Sequence, residues 1–384
     1  MKRRQAGWKW TLVSVLAPVL LAVEGVVLYL LYRRNVAILL TETPLLLRVG
    51  VSFVLCLPPA LAIFALVHRV GKRESTYELV RTTGLILGAL TVGVVAMLQL
   101  SQQQVSEGQF ALAQDTKYSE RLVAAIDHLG SSEITIRKGA VYELKRLAFD
   151  SEKDRDDVID ILSSFVVEES QKRPKDDKNP LASDIMTALQ MLSDARTAFP
   201  DSKPAQLAGV NLSFSVIPNI NLSYANFERA NLTNASLMHA KLVHAVFWEA
   251  DISEADLRYT NLTSAVFTDA TLARANLKNA NLSRADLAMA RLANANLYGA
   301  NLTDANLDHT YLYKAHLSCA NLTRARLYCA DLTGVNFWQT DLTETNFFSA
   351  DLANAFLNNA KNLTAEQLDD ANIDGTTVLP DDLR

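Results

Sequence analysis

The chain has 384 residues, a formal net charge of −5, and 21% charged against 49% hydrophobic residues. This length accommodates roughly two or three domains, and the charge balance excludes both a disordered polyelectrolyte and a strongly basic nucleic-acid binder. Only three cysteines occur, Cys56, Cys319 and Cys329. They exclude a disulfide framework and a zinc site built on closely paired cysteines.

Three apolar runs of 22 or 23 residues occupy the first hundred residues, at 11–32, 45–67 and 79–100. At about 1.5 Å per residue, each would form a helix of roughly 33 Å, long enough to cross a hydrocarbon layer of about 30 Å. We therefore predict that residues 1–104 form a multi-pass anchor in the cell membrane, with three transmembrane helices in contact with the lipid bilayer. Pro58 and Pro59 in the second run leave open a re-entrant segment at that place.

The residues around these runs bear on the side of the membrane that the distal half would face. The lysine and arginine count favours a cytoplasmic N-terminus, which with three spans places the residues after 100 outside. The unpaired Cys319 and Cys329 favour a reducing, cytoplasmic compartment instead, so both orientations stay open. Glu24 is an acidic residue deep within a predicted span. An intramembrane carboxylate points to ion handling, although a lone acid more often packs in neutral form between helices.

Residues 105–200 show the three- and four-residue spacing of apolar side chains that is typical of amphipathic helices. Four helices are expected, at 118–129, 136–149, 156–169 and 181–195. The mostly charged stretch 172–179 is expected to be a linker. We predict a short α-helical connector of antiparallel helices, of the armadillo or HEAT kind, that covers the first open end of the distal domain.

The distal half repeats with a period of five residues. From Leu207 to Leu357 every fifth residue is leucine, phenylalanine or isoleucine, at 31 consecutive positions. The residue two places earlier is alanine in 23 of these repeats, and the residue one place earlier is asparagine or aspartate in 19. The repeat is therefore Ala-Asn/Asp-Leu-x-x, as in Ala300-Asn301-Leu302-Thr303-Asp304.

A period of five excludes an α-helix, because 3.6 residues per turn would rotate the leucine stripe by about 140° at each repeat. In an extended segment, residues two apart point to the same side. If each repeat ends in a corner of about a right angle, four repeats close one rung of 20 residues with leucine and alanine inside. We predict a quadrilateral β-helix, a β-solenoid, over 205–360, with rungs about 4.8 Å apart. Residues 361–384 would form its C-terminal cap and tail.

Inward and outward positions of this repeat have different roles. Phe227, Phe247, Phe267 and Phe347 fall in one class at a spacing of 20, which supports the size of the rung. The predicted core includes Phe227, Phe247, Phe267, Leu282, Leu302, Leu322 and Phe347. Exposed aromatic side chains favour protein binding. The candidate interaction surface consists of Trp248, Tyr298, Tyr311, Tyr313, Tyr328 and Trp338.

The Ala-Asn/Asp-Leu-x-x tandem resembles the pentapeptide-repeat family over residues 205–359. The resemblance implies a right-handed quadrilateral β-helix with the central leucine or phenylalanine and the preceding alanine inside. It implies little about function, because members of the family share no common chemistry. Some members are acidic rods that resemble duplex DNA and bind type II topoisomerases.

The sequence contains no nucleophile elbow, glycine-rich phosphate loop or HExxH motif, and its histidines are not spaced to converge. We therefore expect no enzymatic activity, no cofactor and no metal. We predict a membrane-anchored, non-enzymatic scaffold whose rigid rod binds an unknown protein partner. The alternatives are a DNA-mimicking regulator of type II topoisomerase and an ion-handling membrane protein that uses Glu24. Nucleic acid is not an expected partner, since residues 205–384 carry 12 basic against 19 acidic side chains.

Overall fold

The computed structural model describes residues 76–174 and 177–383. The chain divides after Lys117 into two compact units. In the first unit, the described residues 76–117 all belong to helix α1. The helices are α1 (Thr76–Leu129), α2 (Ile134–Asp150), α3 (Arg155–Gln171), α4 (Ser183–Ala198) and α5 (Ala365–Leu368), followed by a 3₁₀ turn at Asp381–Leu383. The pentapeptide repeats lie between α4 and α5.

The prediction of N-terminal transmembrane helices is contradicted in the part of the chain that the structure describes. Within the described part of the chain, no helix is both long enough and apolar enough to cross a membrane. The predicted span 79–100 is instead the first part of the 54-residue helix α1, in which the apolar run continues into the polar stretch that begins at Ser101. The same finding overturns the predicted localisation as a multi-pass protein of the cell membrane. The other two predicted spans, 11–32 and 45–67, and Glu24 lie outside the described residues.

Helices α2, α3 and α4 of the second unit pack against one another around a common apolar core. The side chains that fill this core recur at three- and four-residue spacing on each helix, so each helix buries one face. Fully buried examples are Leu144 on α2, Leu162 on α3 and Leu189 on α4. A buried ion pair, with 2.6 Å between Arg137 Nε and Asp184 Oδ2, joins α2 to the first turn of α4.

From Gln206 onward the chain winds as a β-helix with rungs of 20 residues. The bridging pairs are all parallel, and those from Gln206 with Asn226 to Asp341 with Lys361 join residue i to residue i+20. The last two, Asp351 with Asn372 and Phe356 with Val378, pair the rod with the C-terminal tail. The bridging residue is the one that precedes each central leucine or phenylalanine. The backbone hydrogen bonds run between rungs; the Leu282 N–H, for example, donates to the Asn301 carbonyl over 2.7 Å. The predicted quadrilateral β-helix is confirmed.

Each corner of the rung is a β-turn closed by a hydrogen bond from the next alanine to the central residue, as from Ala285 N to Leu282 O over 3.0 Å. The third residue of this turn has a positive φ, as in a type II turn. Glycine stands there at 209, 299 and 334, and other residues adopt φ between 52° and 66° at most of the remaining corners. This conformation costs about 1–2 kcal/mol per non-glycine residue, so the hydrogen bonds between rungs must hold it in place.

The column enclosed by the four walls is filled with apolar side chains. Phe227, Phe247 and Phe267 stack in parallel with ring centroids 5.0 and 4.9 Å apart, which is the spacing of neighbouring rungs. Phe347 contacts Phe337 from the opposite wall edge-to-face at 6.1 Å. All the side chains named for the core are buried, namely Phe227, Phe247, Phe267, Leu282, Leu302, Leu322 and Phe347.

Serine side chains on α3 and α4 cover the first open edge of the β-helix. In later rungs, the N–H of each bridging residue donates to a carbonyl of the preceding rung. In the first rung, the hydroxyl oxygens of three serines accept these bonds. They are Ser163 for Gln206 (3.2 Å), Ser170 for Asn211 (3.0 Å) and Ser193 for Asn221 (2.8 Å). The helices thereby protect an edge that could otherwise pair with another chain.

The opposite end of the rod is closed by α5 and the residues that follow it. Thr364 and Gln367 form a capping box at the start of α5. Gln367 Nε2 also donates to the carbonyls of Leu342 (2.7 Å) and Thr345 (2.8 Å), which belong to the last rung. Leu368 is buried against the end of the apolar column. The exposed carbonyls of the last rung and part of its apolar end are thus covered.

The five-residue register predicts opposite outcomes for two neighbouring substitutions. Leu282→Asp places an unpaired carboxylate inside the column and should cost at least about 4 kcal/mol of unfolding free energy. Arg284→Asp, at an exposed corner whose φ of 59° aspartate tolerates, should change it by about 0.5 kcal/mol or less. Urea denaturation followed by circular dichroism measures both. Equal stabilities of the two variants would contradict the register.

The serine contacts predict a local loss of stability at the first rung. Ser170→Ala leaves the buried Asn211 N–H without an acceptor and should cost about 1–3 kcal/mol. Hydrogen exchange read by mass spectrometry should show faster exchange in peptides that contain residues 206–214. Ser132→Ala, at an exposed loop position, is the control and should leave those peptides unchanged. Identical exchange in the two variants would show that the serine does not cap the edge.

Candidate interaction surface

The rod has four walls, which we number by the central residues that recur every 20 positions. Wall 1 contains Leu207 through Phe347, wall 2 Leu212 through Leu352, wall 3 Ile217 through Leu357, and wall 4 Leu222 through Leu342. Each repeat presents three residues outward: the bridging residue before the central one and the two corner residues after it. A residue's position within the period of 20 therefore decides which wall it belongs to.

The six aromatic residues predicted as an interaction surface lie on three different walls. Trp248 and Tyr328 belong to wall 1, Tyr311 and Tyr313 to wall 2, and Tyr298 and Trp338 to wall 3. Trp248 is also partly covered, because the Arg229 guanidinium lies 4.8 Å from the centre of its ring. The structure does not bring the six together into one surface.

Wall 4 is polar, and its side chains hydrogen-bond to one another. Asn301 Oδ1 accepts from the backbone N–H (3.1 Å) and the hydroxyl (2.7 Å) of Thr303. Asn301 Nδ2 donates to Asn281 Oδ1 in the preceding rung over 3.2 Å. Asn261 and Asn321 repeat the contact with the backbone two residues on. These amides serve the stacking of rungs, which leaves them few hydrogen bonds to offer a partner.

Acidic and basic side chains on the rod pair with each other between neighbouring rungs. Arg229 lies 2.7 Å from Glu249, and Arg274 lies 2.8 Å from Glu254, each pair 20 residues apart. Arg324 Nε and Nη2 both bind the Asp304 carboxylate, at 2.7 and 2.9 Å. Such exposed pairs add little stability. They do balance charge locally, so the rod carries no continuous row of unpaired negative charge at these places.

The C-terminal half of wall 3 differs from the other walls in carrying no Asp, Glu, Lys or Arg. This holds for the outward positions of four rungs, within 296–299, 316–319, 336–339 and 356–359. The other three walls carry charged side chains at the same height, such as Asp308, Arg326, Lys314, Asp331, Arg324 and Glu344. We call the four aromatic residues Tyr298, His316, Trp338 and Phe356 of this region the neutral patch.

The neutral patch is held by contacts among its own members. Tyr298 stacks on His316 at a centroid distance of 6.1 Å and an angle of 13°. Hydrogen bonding to the Cys319 thiol raises the pKa of Tyr298. Trp338 and Phe356 are 42% and 49% exposed. Sequence reasoning missed His316 and Phe356. Each is 20 residues from Asn336, which belongs to the same repeat as Trp338, and this spacing could have placed both on the wall of Trp338.

The histidines and acidic residues of the rod do not converge. Within 76–174 and 177–383 no group of three His, Cys, Asp or Glu side chains has the geometry to hold a metal ion. Instead, His239 stacks on Tyr259 of the next rung at 5.0 Å, and His244 stacks on Tyr224 of the previous rung at 4.9 Å. Cys319 and Cys329 are free thiols, and they belong to walls 3 and 1.

The pentapeptide-repeat family model matches residues 205–248, 230–269, 250–288, 290–327 and 325–361. These segments cover the whole of the β-helix, and the observed rung has the five-residue repeat that defines the family. The chain belongs to the pentapeptide-repeat family. No curated protein matches the chain.

Solved structures of other proteins are similar to part of the chain. HetL, involved in heterocyst differentiation regulation in the cyanobacterium Nostoc sp. strain PCC 7120, is 31% identical over 46% of this chain and 85% of its own, with a TM-score of 0.22. A trypsin-treated form of QnrB1, a plasmid-mediated fluoroquinolone resistance protein, is 18% identical over 44% and 85%, with a TM-score of 0.35. Because these TM-scores are low, the family assignment rests on the repeat itself.

The contact between Arg324 and Asp304 predicts a measurable pKa. Hydrogen bonds from Arg324 lower the pKa of Asp304. The pair therefore stabilises the fold above the unfolded pKa of about 3.9, and the contribution is lost as the pH falls through the lower, folded pKa. Arg324→Gln should raise the pKa of Asp304 towards about 3.9. Carboxyl carbon shifts measured by NMR test this, with Arg274→Gln as the control on wall 2. An Asp304 pKa that Arg324→Gln leaves unchanged would refute the pairing.

Proposed function

We propose that this protein is a non-enzymatic scaffold whose β-helix presents a rigid surface to a protein partner. The observation that carries the proposal is the difference in sequence between the inward-facing and the outward-facing positions of the repeat. The column is filled almost uniformly with leucine, phenylalanine and alanine, while the outward residues vary from rung to rung. The backbone beneath them is held by hydrogen bonds between rungs. A surface that is already ordered loses little conformational entropy on binding.

The cavity beside the C-terminal end of the rod does not favour catalysis. It measures about 530 Å³, opens widely to solvent, and is lined by residues of the last rung and of the α5 region. Three carboxylates, from Glu344, Glu366 and Asp370, and the rings of Phe347 and Phe348 contribute to its lining, with neither histidine nor cysteine beside them. It offers no pairing of a nucleophile with a base of the kind that covalent catalysis needs.

The alternative of a DNA-mimicking regulator of type II topoisomerase has weaker support. A mimic of duplex DNA needs rows of negative charge that resemble phosphates. On wall 4, however, the second corner position reads Arg284, Asp304, Arg324 and Glu344 in successive rungs, so the sign alternates along the rod. The ion pairs on walls 1 and 2 have the same effect.

Photo-crosslinking in the native cell tests the proposed function. The photoreactive residue p-benzoylphenylalanine is placed in the full-length protein at Tyr328, Thr333, Trp338 or Thr343, one first-corner position per wall in a single rung. We expect at least one wall to crosslink reproducibly to one protein, and the purified pair to bind in solution. Absence of a specific crosslink from all four walls would overturn the proposal. Inhibition of gyrase supercoiling by the full-length protein at micromolar concentration would favour the mimic instead.

A further inference from the structure

The absence of charge in the neutral patch limits the chemistry of what can bind there. On wall 3 the nearest basic residue is Lys278, one rung before Tyr298, and its ammonium nitrogen lies 5.1 Å from the centre of the Tyr298 ring. Lys278 therefore borders the patch at Tyr298, whereas the patch residues themselves contribute no ion pair. Beside Trp338 and Phe356, a charged partner group would lose its hydration without gaining a counter-ion from this wall. Interface centres are depleted in charged residues and enriched in aromatic ones, which is the composition of the neutral patch.

The side chains along the first corner column of the patch alternate in size. Tyr298, Ser318 and Trp338 occupy successive rungs, and Ser318 is only 3% exposed. Two large rings therefore flank a small residue, with their backbones two rungs, or roughly 10 Å, apart. Phe356 extends the apolar surface by one further rung on the bridging column. The gap above Ser318, between the rings of Tyr298 and Trp338, can therefore hold an apolar side chain that anchors a partner.

The length of the patch along the rod limits the area with which a partner can make contact. Four rungs at about 4.8 Å extend over roughly 19 Å along one wall. A stable dimer of folded proteins buries about 800 Å² on each side, which is much more than one such wall provides. A short segment of a partner needs less area, and a segment of about six extended residues spans the same length.

We propose that the neutral patch, Tyr298, His316, Trp338 and Phe356, binds a short, uncharged, apolar segment of a partner protein. The proposal rests on the proposed scaffold function and gives its site and the chemistry of its partner. Trp338 and Phe356 provide the exposed contact area, and Tyr298, stacked on His316, forms the N-terminal end of the patch.

Selection from a random dodecapeptide phage library on the full-length protein tests this inference. A fluorescein-labelled copy of each selected peptide is then titrated by fluorescence polarisation against the wild type and the variants. We expect apolar peptides without charged residues in their common motif. Their affinity should fall by about 10- to 30-fold in Trp338→Ala and in Phe356→Ala. The matched control is Tyr313→Ala, an equally exposed first-corner tyrosine on wall 2, which should change affinity less than twofold.

Each outcome separates this inference from the function on which it rests. Peptides with charged motifs, peptides that bind Trp338→Ala as well as the wild type, or no enriched peptide at all would overturn the inference. Light scattering that shows a dimer of the full-length protein lost in Trp338→Ala would assign the patch to a second copy and would also overturn it. If p-benzoylphenylalanine crosslinks at Tyr328, Thr333 or Thr343 but not at Trp338, the inference fails while the scaffold function stands. Thermal melts establish that each variant is folded.

Discussion

The hydrogen bonds between rungs are the constraint on which the rest of the structure depends. Each links residues about 20 positions apart and fixes the leucine of every repeat inside the column. They also hold corner residues other than glycine in the left-handed region, where isolated chains rarely stay. A single rung has no partner for these bonds, so stability comes from stacking. This explains why the first rung needs Ser163, Ser170 and Ser193, and the last needs Gln367, as substitutes for the rung that is not there.

The β-helix could be predicted from sequence because its signal recurs along the array. The central apolar residue is present in all 31 repeats, alanine two places earlier in 23, and Asn or Asp one place earlier in 19. The structure around residues 79–100 could not be predicted in the same way. The hydropathy of that segment alone does not show that its helix continues to Leu129. The serine contacts at the first rung were also hidden, since a serine on an amphipathic helix has no sequence mark that distinguishes a capping role. Prediction therefore succeeded where one local rule recurs and failed where distant segments meet.

The candidate interaction surface could likewise be predicted only in part from the sequence. Exposed aromatic residues could be recognised from the outward positions of the repeat, but residues close in sequence, such as Tyr328 and Trp338, belong to different walls. Grouping by position within the rung of 20 separates them and brings His316 and Phe356 beside Tyr298 and Trp338. The contacts between rungs show how charge is arranged: arginines pair with acids of the neighbouring rung on walls 1, 2 and 4, whereas the C-terminal half of wall 3 is uncharged. The proposed binding of an apolar segment follows from that contrast between walls.

A disulfide between neighbouring rungs tests the 20-residue rung most directly. The hydroxyl oxygens of Thr263 and Ser283 lie 3.5 Å apart on neighbouring rungs. The rung spacing of about 4.8 Å falls within the Cα separation that a disulfide spans, so we expect cysteines at these two positions to form one. In a background with Cys56, Cys319 and Cys329 replaced by serine, oxidation of the Thr263→Cys, Ser283→Cys variant should form an intramolecular disulfide nearly completely. The pair Thr263→Cys, Thr303→Cys, two rungs apart, should form none. Equal yields from both pairs, or a disulfide from the second pair alone, would contradict the rung of 20 residues and with it the division of the surface into four walls.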